Sequence, residues 1–259
     1  MLNTAWKCQV SDFSFLTSIF YFDQVNQELY LSPQTIVGSF RGIRGGTQLN
    51  QDVNQYELGL TCLYLAAKYE DLKYPYFDTL KKFFIDGLIE RQLFEEADNL
   101  KNFEVLNHEA LIFSLLQFDM HQPSAIRYYE RLAKASCILK DSQKYLLGLY
   151  LLHIVAFYPS FGFDFSQVQI ACTVIATVNK IYSLRLEVRG YITSITGITI
   201  KDIGFCSQKL LMKYIQMYKG KNDKLAKNSL IVCKFGQDLY QRISLIEPQE
   251  FLRDLTSGL

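Results

Sequence analysis

A chain of 259 residues that is 49% hydrophobic and 14% aromatic can bury a large core, as one big domain or as two compact halves, and is globular rather than disordered. Lys+Arg 27 against Asp+Glu 26 leaves a formal net charge of +1, so no global field draws the protein to nucleic acid or to an anionic membrane surface, although a local basic patch is compatible with it. The six cysteines (Cys8, Cys62, Cys137, Cys172, Cys206, Cys233) are widely spaced, none forms a Cys-x-x-Cys pair, and most sit in apolar segments, which is the usage of a reducing compartment and argues against a zinc site.

In chain order, Ser11 to Phe22 opens with a residue that caps helix N-termini and continues apolar. Asn26 to Asp52 reads as a long link, and its Arg41-Gly-Ile-Arg44-Gly-Gly stretch lacks the lysine and the spacing of a phosphate-binding loop, so it is expected to be surface loop. Asn54 to Glu70 is apolar on most of its circumference, with Gly59, Ala66 and Ala67 admitting close neighbours, and predicts a central helix surrounded by others. Phe77 to Leu88 and Phe103 to Leu116 predict amphipathic helices, with Asp86 to Leu100 as an extended helix end or loop between them. Gln122-Pro123 starts another helix, with proline at a first-turn position where its missing N–H costs nothing, and this helical cluster ends near Ser136.

A second cluster repeats the plan. Ser142 to Phe157 predicts an amphipathic helix that stops before Pro159, and Ser166 to Tyr182 an all-round apolar one. The β-branched residues of the latter are a strand signal, but its length and lack of clean alternation favour helix. Leu186 to Thr193, Lys201 to Tyr218 and Leu225 to Tyr240 complete the set. Two clusters, each built around one wholly apolar helix, predict an all-α fold duplicated about a boundary near residue 121 or a little beyond. The duplication is one of burial pattern, with little residue identity between the halves.

Two charges interrupt this apolar pattern. Lys68 ends the helix Tyr56-Glu-Leu-Gly-Leu-Thr-Cys-Leu-Tyr-Leu-Ala-Ala-Lys68-Tyr-Glu70-Asp71. Glu109 begins the segment His108-Glu109-Ala-Leu-Ile-Phe-Ser-Leu-Leu-Gln-Phe118-Asp-Met-His-Gln-Pro123. The two segments resemble the cyclin box. The likeness continues through Tyr158-Pro-Ser-Phe-Gly-Phe-Asp-Phe, which resembles the tyrosine-rich turn feeding the family's second central helix, and Thr196-Gly197-Ile-Thr, which resembles the turn before its last core helix. Lys234-Phe235 resembles the family's closing helix, so the match covers about residues 11–248 in order.

The resemblance implies two tandem five-helix cyclin-fold repeats, residues 1–121 with a shortened first helix and residues 122–259 with a trailing helix. It implies that Lys68 bonds main-chain carbonyls of a protein kinase, and that Glu109 bonds amides there while holding the lysine. Leu65, Tyr69 and Asp71 match contact positions on the first helix, and Phe113, Phe118 and Met120 match apolar positions on and after the second. Aromatic anchors around a desolvated, hydrogen-bonded charge pair suit an interface. The family also carries an M-R-x-x-L segment ending in tryptophan, which forms a groove for substrate and inhibitor peptides. If Trp6 is that tryptophan, the arginine would lie before Met1, and Tyr56 stands where the family has a groove glutamine, so Leu2, Trp6 and Tyr56 are expected to form an apolar remnant of the groove.

Catalytic signatures do not emerge. His108, His121 and His153 are scattered, without Cys, Asp or Glu at a metal-ligand spacing, and GxSxG, HExxH and GxGxxG motifs are missing. The expectation is therefore a non-enzymatic subunit without cofactor, metal or small-molecule substrate. The N-terminus lacks a secretory pattern, and the most apolar run, Tyr145 to Tyr158, is broken by His153 and too short to span a bilayer, which predicts a soluble protein of nucleus or cytoplasm. The resemblance implies a heterodimer with a cyclin-dependent protein kinase in cell-cycle control. The protein would hold the kinase's αC helix inward so that its glutamate pairs with the β3 lysine. The alternative is a cyclin-fold transcription factor that contacts DNA through basic helices; a pI of about 7.5 and the lack of a zinc ribbon count against it.

Overall fold

Side-chain caps and glycine contacts determine where the helices start and how closely they approach. The computed structural model describes residues 1–31, 54–140, 142–182, 188–220 and 230–246, and among these residues every regular element is helical, so the chain is all-α. Its contacts divide it into two compact units, Met1–Gln122 and Pro123–Leu259.

The described part of the first unit comprises α1 (Leu2–Lys7), α2 (Asp12–Leu31), α3 (Gln55–Glu70), α4 (Phe77–Ile89), α5 (Phe94–Lys101) and α6 (Val105–Leu115). The Ser14 N–H donates to Ser11 Oγ at 3.1 Å, and the Tyr56 N–H to Asn54 Oδ1 at 2.9 Å, so α2 and α3 both begin at the capping residues the sequence offers. α3 is central: α2, α4, α5 and α6 all pack on it. A Cβ added to Gly59 would lie 3.1 Å from Met1 Sδ and 3.7 Å from the Phe22 ring, so a small residue is needed for these neighbours to close on α3. Tyr21, Val25, Leu58, Cys62, Leu65, Ala66, Ile112, Leu116 and Met120 share one buried cluster, into which the Tyr21 hydroxyl reaches to donate to the Met120 carbonyl at 2.7 Å.

Two expectations fail in this unit. α2 does not stop at Phe22 but runs to Leu31, so Asn26 is helical and its Nδ2 donates to the Phe22 carbonyl at 2.8 Å. The rest of the expected link, including Arg41 and Arg44, lies outside the described residues. The Asp86 to Leu100 stretch is neither a helix extension nor a loop: α4 ends at Ile89, Gln92 turns the chain at φ 63°, and α5 follows as a separate helix. α5 packs its buried Ala97 and Leu100 toward α4 and α3, a single i, i+3 apolar pair too sparse to show a period in the sequence.

In the second unit α7 (Ala125–Ala135), α8 (Gln143–Phe157), α9 (Ser160–Asp164), α10 (Gln167–Ile181), α11 (Val188–Thr196), α12 (Ile200–Gly220) and α13 (Leu230–Phe235) are described. α7 falls in this unit, not in the first cluster, because its buried Ile126, Tyr129, Leu132 and Ala133 pack on α10 and α8. Pro123 precedes the cap residue Ser124 instead of sitting in the first turn, and the Ala125 N–H donates to Gln167 Oε1 at 2.9 Å. At the α7–α8 crossing a Cβ on Gly148 would sit 2.1 Å from the Tyr129 oxygen, and that hydroxyl donates to the Tyr145 carbonyl at 2.9 Å.

The amphipathic expectation for α8 is overturned. Every residue from Tyr145 to Val155 is buried, since α7, α9, α10, α12 and α13 surround the helix, and its one polar member in that span, His153, has Nδ1 2.9 Å from the Leu149 carbonyl. α10 starts with a full capping box between Ser166 and Gln169 and is buried continuously from Ile170 to Ile175. Its threonines do not divert it toward strand, because the Thr177 hydroxyl donates to the Thr173 carbonyl within the helix at 2.8 Å. The stretch read as a turn after Tyr158 contains the short α9, with Phe161 buried. The helix expected over Leu225 to Tyr240 is much shorter: 225–229 lie outside the described residues, α13 ends at Phe235, and two 3₁₀ turns, Asp238–Tyr240 and Ile243–Leu245, follow, separated by Gln241 and Arg242 at φ 51° and 53°. Likewise 186–187 of the helix expected from Leu186 lie outside the described residues.

Candidate functional site

α3 ends where α6 begins beside it, and the two charges meet there. Lys68 lies in the last turn of α3, where a cation suits the negative end of the helix dipole. Its Nζ is 3.5 Å from Glu109 Oε1 on α6; the lysine side chain keeps 39% of its exposure and the glutamate only 12%. The ammonium also stands 5.7 Å from the centroid of the Tyr64 ring, one turn back on α3. Tyr64 in turn meets Phe77 edge-on at 5.3 Å and Tyr74 at 6.2 Å, and burial pushes its phenol up, with Lys68 opposing.

Aromatic rings continue the surface on the other side. Tyr69 meets Phe113 edge-on at 6.0 Å, and Phe113 stacks on Phe118 at 6.1 Å with 6° between the ring planes. Phe118 stands 77% exposed. It is held there by a left-handed turn, Gln117 at φ 52° and Phe118 at φ 59°, closed by the Phe118 N–H donating to the Phe113 carbonyl at 2.7 Å. Neither residue type favours that backbone region, so the stacked ring is bought with backbone strain.

A second polar contact lies at the start of α6. His108 Nε2 is 3.3 Å from Glu57 Oε2, and the imidazole meets Phe103 edge-on at 4.7 Å. Burial pulls His108 below and Glu57 above their ordinary ranges, so desolvation drives both toward neutrality and weakens the ion-pair character of the contact. With Nε2 turned to Glu57, Nδ1 is buried without a hydrogen-bond partner among the described residues.

Of the residues the sequence singles out, Lys68, Glu109, Tyr69, Phe113 and Phe118 therefore share one surface. Leu65 and Met120 do not: at 0% and 4% exposure they belong to the core beneath it, because their positions on α3 and after α6 point toward α2. Asp71 is committed within the chain, its carboxylate accepting from the Ser14 hydroxyl at 2.8 Å and the Ser11 N–H at 3.3 Å, which ties the start of α2 to the end of α3. Leu2 and Trp6 are half-buried on α1, which packs on α4, whereas Tyr56 is half-buried in the first turn of α3, so the expected groove residues sit on separate elements. Sequence reasoning missed Tyr64, Leu72, Tyr74 and Tyr76; the last three are exposed in the connection between α3 and α4. Their signal was three large apolar residues around Pro75, in a stretch with no helical face to bury them.

No three His, Cys, Asp or Glu side chains among the described residues lie where they could hold a metal ion, and no described helix is long and apolar enough to cross a membrane. Compared with known families, residues 6–121 match the cyclin N-terminal domain. No curated protein matches the chain.

Proposed function

Because residues 6–121 match the cyclin N-terminal domain, we propose that the chain is a cyclin acting as the regulatory subunit of a cyclin-dependent protein kinase, with a contact surface centred on Lys68 and Glu109. The observation that carries this reading is the Lys68–Glu109 pair itself: a nearly buried carboxylate and a half-exposed ammonium, 3.5 Å apart, rimmed by the exposed rings of Tyr69 and Phe118. Nothing in the fold requires a charged pair at the meeting of two apolar helices. A partner backbone supplies a use, since the ammonium can donate to carbonyls while the carboxylate accepts from amides, and the aromatic rim excludes water from both.

In this reading the protein contributes no catalytic group. It binds the kinase lobe that carries αC, and holds that helix where its glutamate reaches the ATP-orienting lysine. Tyr69, Phe113 and Phe118 are the anchors; Leu65, Met120 and Asp71 act beneath them, by fixing the ends of α3 and α6. The two units correspond to two tandem cyclin folds, each organised around an apolar helix, α3 in the first and α10 in the second. The setting is cell-cycle control in nucleus or cytoplasm.

The test is reconstitution with cyclin-dependent kinases, measuring affinity and phosphoryl transfer for the native chain and for Lys68→Ala and Glu109→Ala. Each substitution strands desolvated polar groups on both proteins and is expected to weaken binding by about 2–5 kcal/mol, mainly through faster dissociation, with unchanged circular dichroism. Full activation by both variants, or salt-sensitive DNA binding in place of kinase binding, rejects the reading.

A further inference from the structure

The second unit carries a surface that the kinase reading leaves unused. α12 buries Ile203, Cys206, Leu210, Tyr214 and Met217 against α10 and α8, yet its outward side is not simply polar. Phe205 and Met212, seven residues apart and so on one side of the helix, stand 68% and 60% exposed. Phe205 is in ring contact with Phe165 at 5.9 Å, which joins the stripe to the aromatic segment around α9.

The same side is cationic. α12 contains four lysines against one aspartate, and that aspartate, Asp202, is occupied at the helix start by the Thr199 hydroxyl and N–H, both at 2.7 Å. Two of the lysines are held down on aromatic faces. Lys213 Nζ lies 4.3 Å from the Tyr158 centroid, and Lys209 Nζ lies 4.9 Å from that of Phe161 and 5.5 Å from that of Phe165. Lys209 is also paired with Asp164, whereas Lys213 donates to Gln216 at 3.3 Å and meets no carboxylate among the described residues.

We propose that this outward stripe of α12, with Tyr158 and Phe165 beside it, is a docking surface for an acidic amphipathic segment of a partner protein. The apolar residues recur at the spacing that receives one side of a helix or an extended strip of alternate side chains. With Lys209 already paired with Asp164, the charge comes from Lys213 and from the exposed Lys201 and Lys219: a segment carrying aspartate or glutamate next to its apolar anchors complements them. The Tyr158 ring contact restricts Lys213 before any partner arrives, so less side-chain freedom is lost when it binds a carboxylate. A single-stranded nucleic acid fits less well, because bases need free ring faces to stack on, and here ammonium groups occupy the faces of Tyr158, Phe161 and Phe165.

The experiment selects peptides from a random phage-displayed library on the full-length immobilised chain, then measures the enriched peptides by fluorescence polarisation. Enriched sequences are expected to combine acidic with aromatic or aliphatic residues and to bind less tightly as salt rises. Phe205→Ser and Lys213→Glu should each weaken them by on the order of tenfold, while Lys68→Ala leaves them unchanged. Phe205 faces solvent and Lys213 is half-buried, so unchanged melting of both variants is required to show that the fold survives. The proposal is overturned if enriched peptides are basic or bind both variants normally. It is equally overturned if oligo(dT) or anionic vesicles, and no peptide, lose binding in these variants, or if the native chain is a dimer that Phe205→Ser converts to monomer.

Discussion

Phe118 illustrates how one residue can be costly to the fold and useful to a surface. A phenylalanine at φ 59° sits in a backbone region that glycine occupies freely, and the compensation is a ring stacked on Phe113 and presented to solvent. Phe118→Gly is therefore expected to leave folding stability unchanged or raised by up to about 1 kcal/mol, while weakening the proposed kinase binding by on the order of tenfold. A thermal melt alongside a binding titration checks both halves; equal loss in both would make Phe118 a packing residue. Leu65 should behave in the opposite way. Wholly buried between α3 and α2, Leu65→Ala is expected to cost about 2–5 kcal/mol of folding stability, read by chemical denaturation, and to affect binding only through the fraction unfolded.

At the scale of elements, close approach depends on a few small residues. Gly148 is the sharpest case, because an added Cβ would meet three atoms of the Tyr129 side chain at 2.1–2.5 Å, and that side chain cannot step aside without breaking the 2.9 Å bond from its hydroxyl to the Tyr145 carbonyl. Gly148→Ala is expected to destabilise the second unit by about 1–3 kcal/mol, despite the better helix propensity of alanine. Differential denaturation of the variant and the native chain measures it; a stabilised variant would mean that α7 and α8 can part at little cost. The fully enclosed α8 also shows why its side chains offered no polar stripe to find: from Tyr145 to Val155 only His153 is not a hydrophobe or glycine, so five neighbouring elements can cover it from all sides.

For the whole molecule, one contribution to the pH dependence of stability comes from a partly buried carboxyl. Desolvation pushes Asp23, on α2, up to about 6 from an ordinary value of 3.8. The folded state therefore holds this proton more tightly than the unfolded chain does, so the group disfavours folding progressively as pH rises from about 4 to about 6, and its full cost remains above that. Asp23→Asn is expected to raise stability by about 1–2 kcal/mol at pH 7 and by almost nothing below pH 4. Urea midpoints across this range provide the measurement, and a pH-independent difference would show that the carboxyl is solvated in the native state.

The all-α class was legible in the sequence because helical period and caps are local: Ser11, Asn54, Ser142 and Ser166 each begin a helix from their own side-chain chemistry. So was the pairing of Lys68 with Glu109, since charges at the ends of apolar helices have few places to go, and the family motif set them opposite one another. What only the tertiary structure decided is which apolar residues remain outside. Leu65 and Phe118 are equally hydrophobic to a sequence reading, yet one lies under α2 and the other on a left-handed turn beyond α6. The same holds for α8, whose burial depends on how many neighbours surround it, and for α12, whose second apolar stripe is hidden in a pattern that the inner one already explains. Burial is a property of neighbours brought together from distant parts of the chain, and no local period encodes it.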